Sequence, residues 1–514
     1  MTPNGNLFAA LRSGFPADRD GVAIEAVESE LLYTWRDVDR STAMLANLLA
    51  SLDLPAGSRI AVQADKSVEA LLLYLATLRA GYVYLPLNTA YKRDEIGYFL
   101  GDAAPAVFVC APRDFSSLSQ LAFGAGCSWV FTLGDDRQGS LLERATHFSD
   151  HHEPVPREVD DLAAIVYTSG TTGRSKGAMV THGNLLSNAL TLKRCWGWRS
   201  SAEGGDVLIH ALPIFHVHGL FVASHGALLA GATMLWLNRF DAARVVALLP
   251  RASVFMGVPT MYARLLGEAG LTHAACGAMR LFISGSAPLL PATFASFRER
   301  TGHILLERYG MSETVMLSSN PYRPADGERR GGSVGFPLPG VDVRIADAGG
   351  EPCPAGVVGA IEVRGPNVFA GYWRLPEKTR EEFTADGWFR TGDVGVFDAD
   401  GYLSIVGRSK DLVISGGYNV YPAEVEGVLD TLPGVSESAV VGVPHADFGE
   451  AVVAVVVAKA GSTLDIDQMT LALKSRIANF KVPKAIFVVA ELPRNAMGKV
   501  QKNTLRERHA TLFA

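Results

Sequence analysis

The sequence predicts an α/β protein: a large N-terminal domain of α/β layers with a small β-rich unit, followed by a small α+β C-terminal domain. Three observations carry this. Apolar runs that stop at Gly/Ser/Pro loops alternate with helix-period segments through the first part of the chain. After Gly335 the texture changes to short strands joined by Gly and Pro turns. The chain has 514 residues, too many for one core, so at least two domains are required.

In chain order, "SVEALLLYLATLRAG" has apolar residues at helical spacing and ends at Gly81, a C-cap signal. "PAVFVCA" reads as a short buried strand, and "LAAIVYTSG" as an apolar strand stopped by a glycine turn. "RASVFMGVP" and "MRLFISGSAP" repeat the theme of strand, Gly/Ser/Pro loop, then helix. Such sheets are largely parallel and bind ligands at the carboxyl ends of their strands. The loops at Thr168, Ser284 and Tyr309 fall there. "VDVRIADAGGEPCPAGVVGAIEVRGPNVFAGYW" supplies the β-rich unit, and "YPAEVEGVLDTLPGV" is an amphipathic helix entered through Pro422. The charged tetrapeptide "RSKD", from Arg408, separates two apolar strands and sets the division at 1–409 and 410–514.

Composition excludes several function classes. Hydrophobic residues are 48% and charged residues 19%, a globular balance. Net charge is −6, from 47 basic and 53 acidic residues with no long basic run, so nucleic acid is not an expected partner. Cys110, Cys127, Cys195, Cys276 and Cys353 form no C-x-x-C pair, which argues against a zinc site or disulfide framework and fits a reducing cytoplasm. The N-terminus lacks the pattern of a secretory signal, and the apolar stretch from His225 to Leu237 is too short to span a bilayer. A cytoplasmic chain with no membrane partner is expected.

The chemistry concentrates in "YTSGTTGRSKG", Tyr167 to Gly177. Its glycines let backbone N–H groups converge on an anion, its hydroxyls donate hydrogen bonds, and Lys176 adds a point charge. The spacing is not that of a Walker loop, because only two residues separate Gly170 from Gly173 and Lys176 precedes Gly177.

This loop resembles the phosphate loop of the adenylate-forming superfamily of acyl-CoA synthetases, adenylation domains and luciferases. The other motifs of that superfamily follow in order: "LPIFHVHGL", "SGSAPL", "ERYGMSE", "FRTGD", "GRSKDLVISGGYNVYPAEVE" and "PRNAMGK". The resemblance covers nearly the whole chain. It implies activation of a carboxylate by ATP and Mg²⁺, release of pyrophosphate, and transfer of the acyl group from AMP to a thiol, with CoA as the acceptor. Carried onto this chain, Thr168, Ser169, Gly170, Thr171, Thr172 and Lys176 would hold the β- and γ-phosphates. Glu313 and Thr172 would hold Mg²⁺. Tyr309 would stack on adenine opposite Gly285, Ser286, Ala287 and Pro288, with Glu307, Arg308, Gly310, Met311 and Ser312 completing that pocket. Many relatives have Thr where Ser312 stands, and the hydroxyl is retained. Asp393 would accept the ribose hydroxyls and Arg408 would reach the ribose or phosphate. Lys499 would stabilise charge at the α-phosphate. Lys410 would be the hinge of a mobile C-terminal domain. Ser415, Gly416 and Gly417 would line the pantetheine path, and His216 would gate the acyl site. Relatives are silenced by acylation of the lysine at the position of Lys499, which implies a protein lysine acyltransferase as a regulatory partner.

Within the superfamily, "GVPTMYARLL", "LFISGSAPLL" and "LLERYGMSET" resemble malonyl-CoA synthetases. An arginine in an apolar acyl pocket calls for a second carboxylate on the substrate. Thr260 reads as an N-cap, which puts Met261 and Arg264 on the first turns of a helix. Arg264 is then the first candidate for the distal carboxylate, with Ser286 as hydrogen-bonding partner and Arg308 as second candidate. His216, Val217, Met256 and Met316 would shape the rest of the pocket. The alternatives are a ligase for methylmalonate or another small acid, and a stand-alone adenylation enzyme loading a carrier protein.

Overall fold

The computed structural model describes residues 4–168, 175–415, 418–445, 447–495 and 498–513. The chain forms two compact units: 1–331 with 335–342 and 364–389, and 332–334 with 343–363 and 390–514. The small sheet therefore groups by contact with the C-terminal module, whereas the charged tetrapeptide set the expected division at 409/410.

Two sheets organise the first unit. Among the described residues, one has seven strands, in the order Gly371–Tyr372, Lys176–Thr181, Leu162–Thr168, Val83–Pro86, Arg59–Gln63, Val107–Cys110 and Trp129–Thr132. The helix Val68–Arg79 is buried along its whole length, capped at its start by Ser67, and followed by Gly81 at φ +75°. Even Arg79 is inside, paired with Asp39 at 2.9 Å. The glycine-rich loop departs from the strand–loop–helix expectation. Lys176–Thr181 pairs antiparallel with Leu162–Thr168, and a helix follows only from His182 to Cys195. The run "KGAMVT", with no strong propensity of its own, takes its strand form from pairing with Leu162–Thr168.

The second sheet has nine strands among the described residues. Its central strands, Leu306–Tyr309, Leu281–Ser284, Val254–Gly257 and Val207–His210, are parallel neighbours in that order. The loops after them therefore leave one edge side by side. Those loops carry Gly310–Met316, Gly285–Pro288, Val258–Arg264 and His216–His218, so topology alone gathers the predicted acyl-site segments.

In the second unit the small sheet orders Asp342–Ala346, Gly359–Arg364, Phe389–Phe397 and Leu403–Arg408. The C-terminal sheet is centred on the long hairpin Val435–His445 and Gly449–Ala458. Period-two alternation feeds a core on each face: Val440, Val452, Ala454 and Val456 on one, Val441, Val443, Val453 and Val455 on the other. No helix among the described residues is long and apolar enough to cross a membrane.

Candidate active site

The phosphate-loop strands end in a small polar cluster. Lys176 Nζ lies 3.4 Å from Glu382 Oε1 and 4.3 Å from the centre of the Tyr372 ring. The Tyr372 hydroxyl donates to Glu313 Oε1 at 3.0 Å. A cation, an aromatic face and a buried carboxylate are thus held together, although they are far apart in sequence. Tyr98 donates to the Ser175 carbonyl at 2.7 Å, and the Tyr167 hydroxyl donates to Asp102, which anchors the two strands where the loop leaves them. Ser169, Gly170, Thr171 and Thr172 lie outside the described residues, as do Gly416 and Gly417.

Thr260 is not the N-cap of its helix. The helix spans Pro259–Leu266, with Val258 at the cap and Pro259 in its first turn. Proline has φ pre-set for that position and no N–H to satisfy, so it takes the start. Tyr262 and Leu265 then point to the core, and Arg264 falls in the last turn, exposed. A solvated guanidinium has water as its partner and needs no anion. Arg264, the first candidate for the distal carboxylate, is thus a solvent-exposed side chain here.

Arg308 is the arginine that is inside. It is 3% exposed, and none of Nε, Nη1 and Nη2 has a hydrogen-bond partner among the described residues. Burial pushes its pKa down to about 9. Its guanidinium lies against Gly285, where an added Cβ would come within 2.6 Å of Cζ. Further buried polar atoms without a partner lie in the same strand-end loops: His218 Nε2 and Ser284 Oγ. His218 Nδ1 is 3.3 Å from Ser286 Oγ, and burial together with the nearby Arg308 charge holds His218 well below its ordinary pKa, hence neutral. Ser286 (φ +72°) and Val315 (φ +54°) both occupy left-handed backbone, a strain that marks functional loops. Val217, Met256 and Met316 are fully buried apolar side chains, while His216 and Tyr309 are half-buried.

In the second unit, Asp393 is buried and its Oδ1 lies 2.6 Å from Arg408 Nε across the Phe389–Phe397/Leu403–Arg408 pair. Lys410 sits in the single turn Ser409–Asp411. Lys499 is exposed. The Asn495 N–H donates to the Lys499 carbonyl at 2.9 Å, and the Lys499 N–H to Asn495 Oδ1 at 3.0 Å. Gly498, beside it, has a φ of +75°, which glycine adopts without strain.

The model of the AMP-binding enzyme family matches residues 17–373, and that of the AMP-binding enzyme C-terminal domain matches residues 424–499. The chain belongs to the AMP-binding enzyme family. This AMP-binding enzyme superimposes on ATP-bound MatB from Rhodopseudomonas palustris with a TM-score of 0.96 and 52% identity, over 100% of both chains. It is 36% identical over 479 residues to a feruloyl-CoA synthase from an Amycolatopsis species, covering 92% of this chain and 94% of the relative. It is 35% identical over 483 residues to a malonate–CoA ligase of Arabidopsis thaliana, covering 88% and 78%. As an AMP-binding enzyme it is an AMP-forming acid–CoA ligase. His218, Ser284, Tyr372 and Glu382, none of them among the expected site residues, lie beside those that are. The second histidine of "HVH" was the available signal for His218. Tyr372 and Glu382 reach the site from a distant segment, which no local pattern announces.

Proposed function

We propose that the protein activates malonate with ATP to malonyl-AMP and pyrophosphate, and then transfers the malonyl group to the thiol of CoA with release of AMP. The observation that carries this is the buried, unpartnered guanidinium of Arg308. A buried cation without a counter-charge is costly. The distal carboxylate of malonate neutralises it through two charge-assisted hydrogen bonds, and His218 and Ser284 supply further polar contacts. A monocarboxylate leaves the charge buried and alone. Val217, Met256 and Met316 set the room for a 2-methyl group; one methylene is worth about 1–3 kcal/mol in such a pocket, so methylmalonate is a slower substrate.

The other residues take the roles their motifs carry. Lys176, Thr168 and the following loop hold the β- and γ-phosphates. Tyr309 and the Gly285–Pro288 segment bind adenine, and Asp393 binds ribose. Glu313, a buried carboxylate already polarised by Tyr372, fits Mg²⁺, a hard cation that neutralises phosphate charge when bound. Lys499 stabilises the charge that builds on the α-phosphate. Lys410 is the pivot between half-reactions, and the Ser415 turn borders the pantetheine path. All five cysteines are free thiols, which suits work in a reducing cytoplasm.

The test is pyrophosphate release with malonate and with butyrate. Arg308→Met is expected to lower malonate turnover by about 10²–10³ and to spare butyrate, since breaking a buried charge pair costs about 3–5 kcal/mol. Arg264→Ala is expected to change neither. Equal losses for both acids in Arg308→Met would overturn the distal-carboxylate role.

A further inference from the structure

The segment Ala211–His218 carries His216, Val217 and His218 into the acyl site, and a buried histidine that touches none of the substrates ties its two ends together. His210 ends the strand Val207–His210 and is 1% exposed. Its Nε2 lies 3.1 Å from the Gly219 carbonyl oxygen and 3.1 Å from Ser224 Oγ. Ser224 Oγ itself donates to the Gly219 carbonyl at 2.9 Å. His210 is held from behind as well. Lys66 Nζ donates to the His210 carbonyl at 2.7 Å and to the Leu237 carbonyl at 2.6 Å, lying 4.3 Å from the Trp236 ring on which His210 stacks.

The consequence is geometric. Lys66 fixes where the segment begins and the His210 ring fixes where it ends, at Gly219, the residue after His218. The loop between them is closed tightly: a Cβ on Gly219 would fall 2.2 Å from the Pro213 carbonyl oxygen. The six residues His218–Ala223 form a π-helical turn, a rare form frequent at functional sites, and the His210–Ser224–Gly219 contact braces its start. Burial holds His210 neutral, and donation from Nε2 to the carbonyl assigns the proton to that nitrogen.

We propose that His210 is a positioning residue that sets the placement of His218, and through it the fit of the carboxylic acid, without affecting the nucleotide. This rests on the acyl-site reading given above. The test varies malonate at saturating ATP, then ATP at saturating malonate, by pyrophosphate release from the full chain. His210→Ala is expected to raise the malonate KM about tenfold, as loss of a buried hydrogen bond implies, with the ATP KM within about twofold. His210→Gln, whose amide N–H reaches the position of Nε2, is expected to recover most of the loss. A fall in kcat with both KM values unchanged, or a glutamine variant no better than alanine, would overturn the role. Ser224→Ala gives the same readout if His210→Ala does not fold, and an unmoved malonate KM there would count equally against it. Failure of the malonate reading is recognised separately, because wild-type protein would then release no pyrophosphate with malonate; the KM split is in that case measured on the acid it does use.

Discussion

At the scale of single residues, Arg308 and Arg264 separate two readings that sequence alone left open. Both lie in segments that border the acyl site, and composition or spacing cannot tell an inward arginine from an outward one. The deciding facts are three-dimensional: Pro259 in the first turn sets the helix phase that exposes Arg264, and Gly285 leaves the space that Arg308 fills. The same burial makes a stability prediction. A base whose folded pKa is depressed destabilises the fold while it is protonated. Here that cost is complete below about pH 9 and shrinks as the pH rises above it. At neutral pH, Arg308→Met is therefore expected to raise the Tm of the ligand-free protein, by roughly 1–4 kcal/mol of added stability. Malonate is expected to raise the Tm of the wild type more than butyrate does, and to have no such advantage in the variant. A destabilised Arg308→Met protein would mean that the guanidinium has a counter-charge after all.

Among the elements, what could be read in advance followed physical regularity. The apolar strands at Leu162, Val254 and Leu281 and the buried helix ending before Gly81 declared themselves by period and punctuation. The antiparallel return at Lys176 did not, because six residues of mixed polarity fit a strand or the first turns of a helix equally well. Helix His182–Cys195 offers a test of how elements are joined. His182 Nδ1 accepts from the Leu7 N–H at the start of the first helix, at 3.1 Å, and burial pushes its pKa down to about 4. The bond needs neutral imidazole. Its stabilisation is fully present above pH 6.5 and is lost as pH falls from 6.5 towards 4, by about 3 kcal/mol in all. His182→Asn keeps an acceptor at the place of Nδ1 but does not titrate. The Tm difference between pH 7.5 and pH 5 is expected to be smaller in this variant. An unchanged difference would assign the acid sensitivity to other groups, His225 first among them.

For the molecule as a whole, the two half-reactions place opposite demands on one site. In the proposed reaction the first half-reaction calls for a cation at the α-phosphate, the role proposed for Lys499, and the second calls for access of the CoA thiol to the acyl carbonyl. In the second unit two ion pairs bracket the proposed pivot. Arg408 pairs with Asp393 at 2.6 Å on one side, and Asp411 pairs with Arg506 at 2.5 Å on the other. Only Ser409 and Lys410 lie between, so a rotation confined to them leaves both pairs intact. The "RSKD" tetrapeptide suggests a boundary in sequence because charge interrupts two apolar strands, but the Asp411–Arg506 pair beside it could not be read there, since Arg506 lies 95 positions from Asp411. Proline at 410 fixes its own φ and restricts Ser409 before it, so Lys410→Pro is expected to hold the C-terminal module in one orientation. One half-reaction, measured alone, should then persist within about tenfold while the other falls by about 10² or more. Lys499→Ala provides the reference, losing adenylate formation and keeping thioester formation from supplied malonyl-AMP. If Lys410→Pro slowed both half-reactions alike, or neither, the pivot would lie elsewhere in the chain.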